Sequence, residues 1–185
     1  MVTVVQQGAN VVVTGSGAID LSGLSLNVPN VGGLVAIAPG SAFILFGQGQ
    51  LDLYTGVSGP SSFGQGGGTS ASSASGSAVG IEGAEGFLFV PAGYTSSTPL
   101  GVSTSTYDGL TLSFLGVTPG IYKWSWGTGV NQNFTLQIGA TAAPDGGSTI
   151  ALLLLGAAFC LAGRKSRFAN SCGAKHAGEI SDPRL

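Results

Sequence analysis

Across 185 residues only 8% are charged, against about 25% in typical soluble domains, and glycine fills 33 positions where about 7% is usual. Before residue 144 the acidic side chains are Asp20, Asp52, Glu82, Glu85 and Asp108 with Lys123 the single cation, so this body is net −4 within a chain of net −2. That balance argues against nucleic acid as a partner, and the absence of cysteine before Cys160 excludes a disulfide framework from the body.

Residues 1–142 have the pattern of one all-β domain, long enough to bury a single core. Short β-branched or alternating runs are punctuated by Gly, Pro, Asn and Asp, which break strands and form turns. The pattern predicts strands at Asn10–Thr14, Leu24–Val28, Leu34–Ala38, Ala42–Phe46, Leu51–Tyr54, Gly86–Val90, Leu110–Leu115, Ile121–Trp126 and Asn133–Ile138. Nine short strands with little helix suggest an antiparallel β-sandwich. The last three should form a meander, because Asp108-Gly109 and Pro119-Gly120 supply turns and Leu110, Leu112 and Phe114 alternate with polar neighbours. From Gly59 to Ser77, 13 of 19 residues are Gly or Ser. Such a stretch is either a flexible loop or a weak strand of small residues, and partial strand character is expected from Thr69 to Val79.

Candidate chemistry is sparse in this body. The single histidine, His176, lies in the far C-terminal stretch, so neither a Ser-His-Asp set nor a histidine-based metal site is expected in the body. No cofactor motif is complete. Glu82 and Glu85 could pair as acid and base, but their Gly-rich surroundings favour an ordinary solvated surface, and no catalytic residue is assigned. Asn133-Phe134-Thr135 fits a glycosylation acceptor, but it is read as an ordinary strand segment. Tyr122, Trp124 and Trp126 share one face of a strand by period-two alternation. Those rings either fill the core against Phe134, Leu136 and Ile138 or, if exposed, stack on an extracellular polysaccharide.

Residues 143–167 have a different logic. Ala143, Pro144, Asp145, Gly146, Gly147 and Ser148 resist regular structure and should stay open to a processing enzyme. Ile150 to Gly163 then runs without a charge, rich in Leu and Ala, and suits a helix capped by Ser148 or Thr149. Its 14 residues span roughly 21 Å against a hydrocarbon core of about 30 Å, so length alone suits a buried core helix, whereas flanking Gly and snorkelling cations extend it to a short membrane anchor, the reading preferred. Arg164, Lys165 and Arg167 hold the far end on the cytoplasmic side, leaving the body outside.

This order of motif, apolar helix and basic cluster resembles the C-terminal sorting signals of exosortase substrates, the PEP-CTERM class, and is closest to the variant written Val-Pro-Asp-Ser-Gly. Phe87 to Tyr94, Leu115 to Gly127 and Phe134 to Gly139 also look like the ectodomains of uncharacterised members of that class. The resemblance implies recognition around Pro144 and Asp145 by a membrane-embedded, cysteine-type transpeptidase, removal of the helix, and delivery to the envelope or polymer matrix. Two features depart from the pattern. Residues 168–185 add a polar tail with Cys172, His176 and Asp182, and Met1 to Asn10 has neither a cation nor an apolar run beyond Val5, where a signal peptide is expected. A start assigned too far downstream, or a trimmed signal, would account for the latter.

Overall fold

A computed structural model describes residues 1–139, and these form two β-sheets packed as a sandwich. The strands are β1 (Val2–Gln7), β2 (Asn10–Ala18), β3 (Ser25–Gly32), β4 (Ala36–Ala38), β5 (Phe43–Phe46), β6 (Gln50–Thr55), β7 (Thr69–Ser70), β8 (Ser73–Ser75), β9 (Val79–Glu82), β10 (Phe87–Pro91), β11 (Pro99–Tyr107), β12 (Gly120–Ser125) and β13 (Asn133–Ile138). One sheet has the order β12-β13-β1-β2-β11-β8 and the other β3-β6-β10-β9-β5-β4-β7.

The hydrophobic alternation of single strands explains how the sheets face one another. Val2 and Val4 of β1, Val11 and Val13 of β2, and Phe134, Leu136 and Ile138 of β13 all turn inward, while their sequence neighbours are half-buried or exposed. They meet Ile44 and Phe46 of β5, Val79 and Ile81 of β9, and Leu88 and Val90 of β10 in one continuous core. A smaller cluster of Leu45, Leu51, Ala78 and Phe89 lies apart from it, with Phe43 edge-on to Phe89 at 5.9 Å. The sheets approach closely at Gly15, where a Cβ would stand 2.4 Å from the Phe46 ring.

The expected antiparallel arrangement holds for every named strand pair but one. β1 and β13 run parallel, with Val2 opposite Leu136 and Val4 opposite Ile138, so the first and last described strands lie side by side. Both outer neighbours keep the ordinary pattern, β2 antiparallel to β1 through a two-residue turn at Gly8-Ala9 and β12 antiparallel to β13. Gly8 has φ +59, the left-handed value such a hairpin turn demands of its first residue.

The strand expected at Leu110–Leu115 is absent, and with it the three-stranded meander. Residues 112–116 form turns, closed by Leu115 N–H donating to Thr111 O and Gly116 N–H to Ser113 O, both at 3.0 Å. The side chain of Gln6 does for this segment what a neighbouring strand would do: its Nε2 donates to Leu110 O and its Oε1 accepts from Leu112 N–H at 3.0 Å. Leu112 and Leu110 pack against the core, but Phe114, assigned to the same face, is 69% exposed.

The Gly/Ser-rich segment is structured and crosses between sheets. β7 pairs with β4, β8 pairs with β11, and β9 sits between β5 and β10. β1 and β11 were not expected from the sequence, and β2 and β3 run four residues beyond their expected ends.

Candidate functional site

The aromatic strip is the most elaborate side-chain grouping among the described residues. Tyr122, Trp124 and Trp126 do project to one side of β12 and its continuation, and that side faces the core. Trp124 is 0% exposed, and Tyr122 and Trp126 are half-buried. Tyr122 stacks on Trp124 with centroids 6.4 Å apart at 28°, and Phe134 meets Trp124 edge-on at 6.1 Å. These spacings fall within the range in which aromatic pairs attract beyond simple burial.

A loop covers Trp124 from outside. Ser58 and Ser125 exchange backbone hydrogen bonds of 2.9 and 2.8 Å, Thr118 N–H donates to Phe63 O at 2.9 Å, and Gln65 N–H to Gly116 O at 2.9 Å. This pins residues 58–65 alongside β12 and drives Phe63, itself fully buried, edge-on against Trp124 at 6.4 Å. Each polar tip is already engaged: Trp124 Nε1 donates to Pro60 O at 2.7 Å, Trp126 Nε1 to Asp20 O at 2.7 Å, and Tyr122 OH to Thr118 O at 3.0 Å. Trp124 therefore offers no free face or donor to a sugar, and the exposed strip considered from the sequence is replaced by a core wall.

Glu82 and Glu85 lie at the turn between β9 and β10. Glu82 is half-buried and Glu85 exposed. Partial burial, helped by the nearby Glu85 charge, raises the Glu82 carboxyl above its usual range. Among the described residues, no three His, Cys, Asp or Glu side chains gather into a metal-holding group.

Among the described residues the most deeply placed carboxylate is Asp52 on β6, and its role is architectural. Oδ1 accepts from Asn30 N–H at 2.9 Å and Oδ2 from Gly93 N–H at 2.8 Å, joining the irregular end of β3 to the turn after β10. Asn30 and Gly93 both have positive φ, +52 and +72, so the carboxylate satisfies two backbone donors that leave the ladder. At the far end of β2, Asp20 Oδ1 accepts from Ser22 N–H at 2.9 Å and Ser96 Oγ at 3.3 Å, and these bonds hold its carboxyl below the usual range. Tyr94 OH accepts from Ile19 N–H and donates to Thr98 O, tying the same two segments together.

The sorting motif Ala143 to Ser148, the helix Ile150 to Gly163 and the cations Arg164, Lys165 and Arg167 lie outside the described residues. Among the described residues no helix is long and apolar enough to cross a membrane. Compared with protein families, with curated proteins and with solved structures, the chain matches none of them.

Proposed function

We propose that the chain is a non-catalytic exported bacterial protein, carried by its C-terminal tail to an exosortase-type transpeptidase and left in the cell envelope or extracellular polymer matrix, where it does structural or adhesive work. The observation that carries this is the order Pro144-Asp145-Gly146-Gly147, then the uncharged run Ile150 to Gly163, then Arg164, Lys165 and Arg167. Each part needs the others: an open motif for recognition, a short apolar helix to hold it at the membrane, and cations to fix the orientation. Before processing, the β-sandwich is tethered through that helix.

Two features of the body fit such a destination. The carboxylates of Asp52 and Asp20 are committed to backbone hydrogen bonds, and cohesion comes from strand pairing and core packing without cysteine. Glycan binding through Tyr122, Trp124 and Trp126 is not adopted, because the rings line the core.

The test is the intact mass and location of the protein, expressed behind a working signal peptide in hosts with and without an exosortase. Loss of the tail near Pro144 only where the enzyme is present supports the proposal. A chain left uncut and membrane-bound in both hosts overturns it, leaving a single-pass anchored β-domain.

A further inference from the structure

The seven-stranded sheet is apolar on both faces. Along β5, β6 and β10 the residues that enter the main core alternate with a second set, and period-two alternation turns that set to the outer side. It consists of Phe43, Leu45, Leu51, Leu53, Phe87 and Phe89, the smaller cluster described above. An antiparallel sheet with one face on a core ordinarily presents a polar face to water, and a contiguous outward apolar patch marks a surface of interaction. The chain at Gly33 covers part of it, since a Cβ there would stand 2.5 Å from Leu45 and 2.6 Å from Leu51. Phe43, Leu53 and Phe87 stay partly exposed, and Val28, opposite Leu53 on the edge strand β3, is 40% exposed.

One carboxylate stands in this apolar face. Val79 and Ile81 of β9 turn into the core, so Glu82 points outward, and the register sets Phe43 opposite it on one side and Phe87 on the other. Glu82 is half-buried there, with Glu85 exposed at the adjoining turn. The single cationic side chain among the described residues, Lys123, is exposed on the outer face of the other sheet, because Tyr122 and Trp124 take the inward positions of β12. Ile121, two residues earlier on that same outer face, is 72% exposed. Packed sheets lie about 10 Å apart and these two charged side chains point away from each other, so Lys123 does not reach Glu82 of its own chain.

We propose that the outer faces of the two sheets are complementary and that the phenylalanine face is covered by a second copy of this chain, its Lys123 ammonium set against the Glu82 carboxylate between Phe43 and Phe87. Two points match at once. Ile121 and Lys123 are two residues apart on β12, about 7 Å. On the facing sheet the row through Phe89 and Leu53 lies the same two residues from Glu82, because Phe89 is opposite Gly80. With strands aligned as in sheet-on-sheet packing, Lys123 over Glu82 therefore places Ile121 over Phe89. The apolar contact shields the charge pair from water, and ring faces beside an ammonium add attraction of their own. The contact is heterologous, so each copy added leaves one face of each kind free and assembly continues past the dimer. A symmetric dimer through two phenylalanine faces would instead bring together the Glu82 and Glu85 charges of both copies. Such a stack forms whether or not the C-terminal tail is processed.

Full-length chain in density-matched non-ionic detergent is followed by sedimentation at increasing concentration, as the parent, as Lys123→Glu, as Glu82→Lys and with both substitutions together. The parent is expected to form a series that grows past the dimer, each single variant to weaken association by at least about tenfold, and the double variant, with the pair reversed, to recover most of it. In parallel, carbodiimide coupling of mixed isotopically light and heavy parent chains should join Lys123 of one to Glu82 of the other. A parent that stays monomeric overturns the proposal. So does association that Lys123→Glu leaves unchanged, which assigns it to the apolar tail, to another cation at Glu82 or to a symmetric dimer. A double variant that keeps the parent's tryptophan emission yet does not recover, with no Lys123–Glu82 link in the parent, overturns it as well.

Discussion

The indole N–H of Trp124 donates to the carbonyl of Pro60 at 2.7 Å, a bond that joins β12 to a loop 64 residues earlier and closes one side of the core. Removing the ring should do two kinds of damage. Trp124→Ala is expected to cost about 3–5 kcal/mol from lost burial and the cavity left behind. Trp124→Phe keeps part of the packing but leaves the Pro60 carbonyl without its donor, at about 1–3 kcal/mol. Urea denaturation midpoints at constant slope check both, and a Phe variant as stable as the parent would mean that the bond contributes nothing.

Gly83 guards the same bond from the opposite side. A Cβ there would stand 2.2 Å from Pro60 O and 2.4 Å from Trp124 Nε1, so Gly83→Ala must push the pair apart, at about 1–3 kcal/mol. Gly67 is the control, having open space around it and an ordinary φ, and Gly67→Ala should lie within about 0.5 kcal/mol of the parent. Because Gly83→Ala and Trp124→Phe act on one contact, their effects should add to less than their sum in a double-mutant cycle.

The strands legible in the sequence were those whose alternation is strongly apolar, such as β13, where Phe134, Leu136 and Ile138 all point inward. β11 escaped notice because its buried face is built from Ser103, Ser105 and Tyr107, which read as loop chemistry although they lie on an interior strand. Leu110–Leu115 failed in the opposite sense. Its alternation is genuine, but the Gln6 side chain, more than a hundred residues away, takes up the backbone groups and lets the segment turn. The aromatic strip showed its shared face in the sequence, whereas its burial depends on the loop carrying Pro60 and Phe63, a long-range pairing that local pattern cannot supply.

Asp52 joins β6 to two backbone positions with left-handed φ. Asp52→Ala abandons the N–H groups of both Asn30 and Gly93 and should cost about 1–3 kcal/mol for each that water cannot reach. Asp52→Asn retains one carbonyl oxygen but turns an NH2 toward a donor, so it should recover only part of the loss. Hydrogen exchange resolves the two: Asn30 and Gly93 amides should both quicken in the Ala variant and one of them in the Asn variant. Unchanged exchange at both sites would show that the turns hold without the carboxylate.

Tyr107 gives the fold an alkaline limit. Its ring is fully buried on β11, and its hydroxyl and that of Ser105 lie close together without either completing a hydrogen bond. Burial pushes the phenol up to about 12, with the Ser105 hydroxyl offsetting this in part. Because the folded state holds the proton more tightly than the unfolded chain, stability is level below about pH 10 and falls between about 10 and 12 as the unfolded phenol ionises first. The loss from this residue should be on the order of 2–3 kcal/mol across that window. Tyr107→Phe removes an unpartnered buried hydroxyl, so it should be neutral or stabilising at pH 7 and should flatten most of the alkaline decline, the remainder coming from Tyr54, which burial and the Asp52 charge also raise. Thermal midpoints of parent and variant from pH 8 to 12 decide the matter: parallel curves would show that Tyr107 loses its proton at the same pH folded and unfolded, and would overturn the alkaline limit assigned to it.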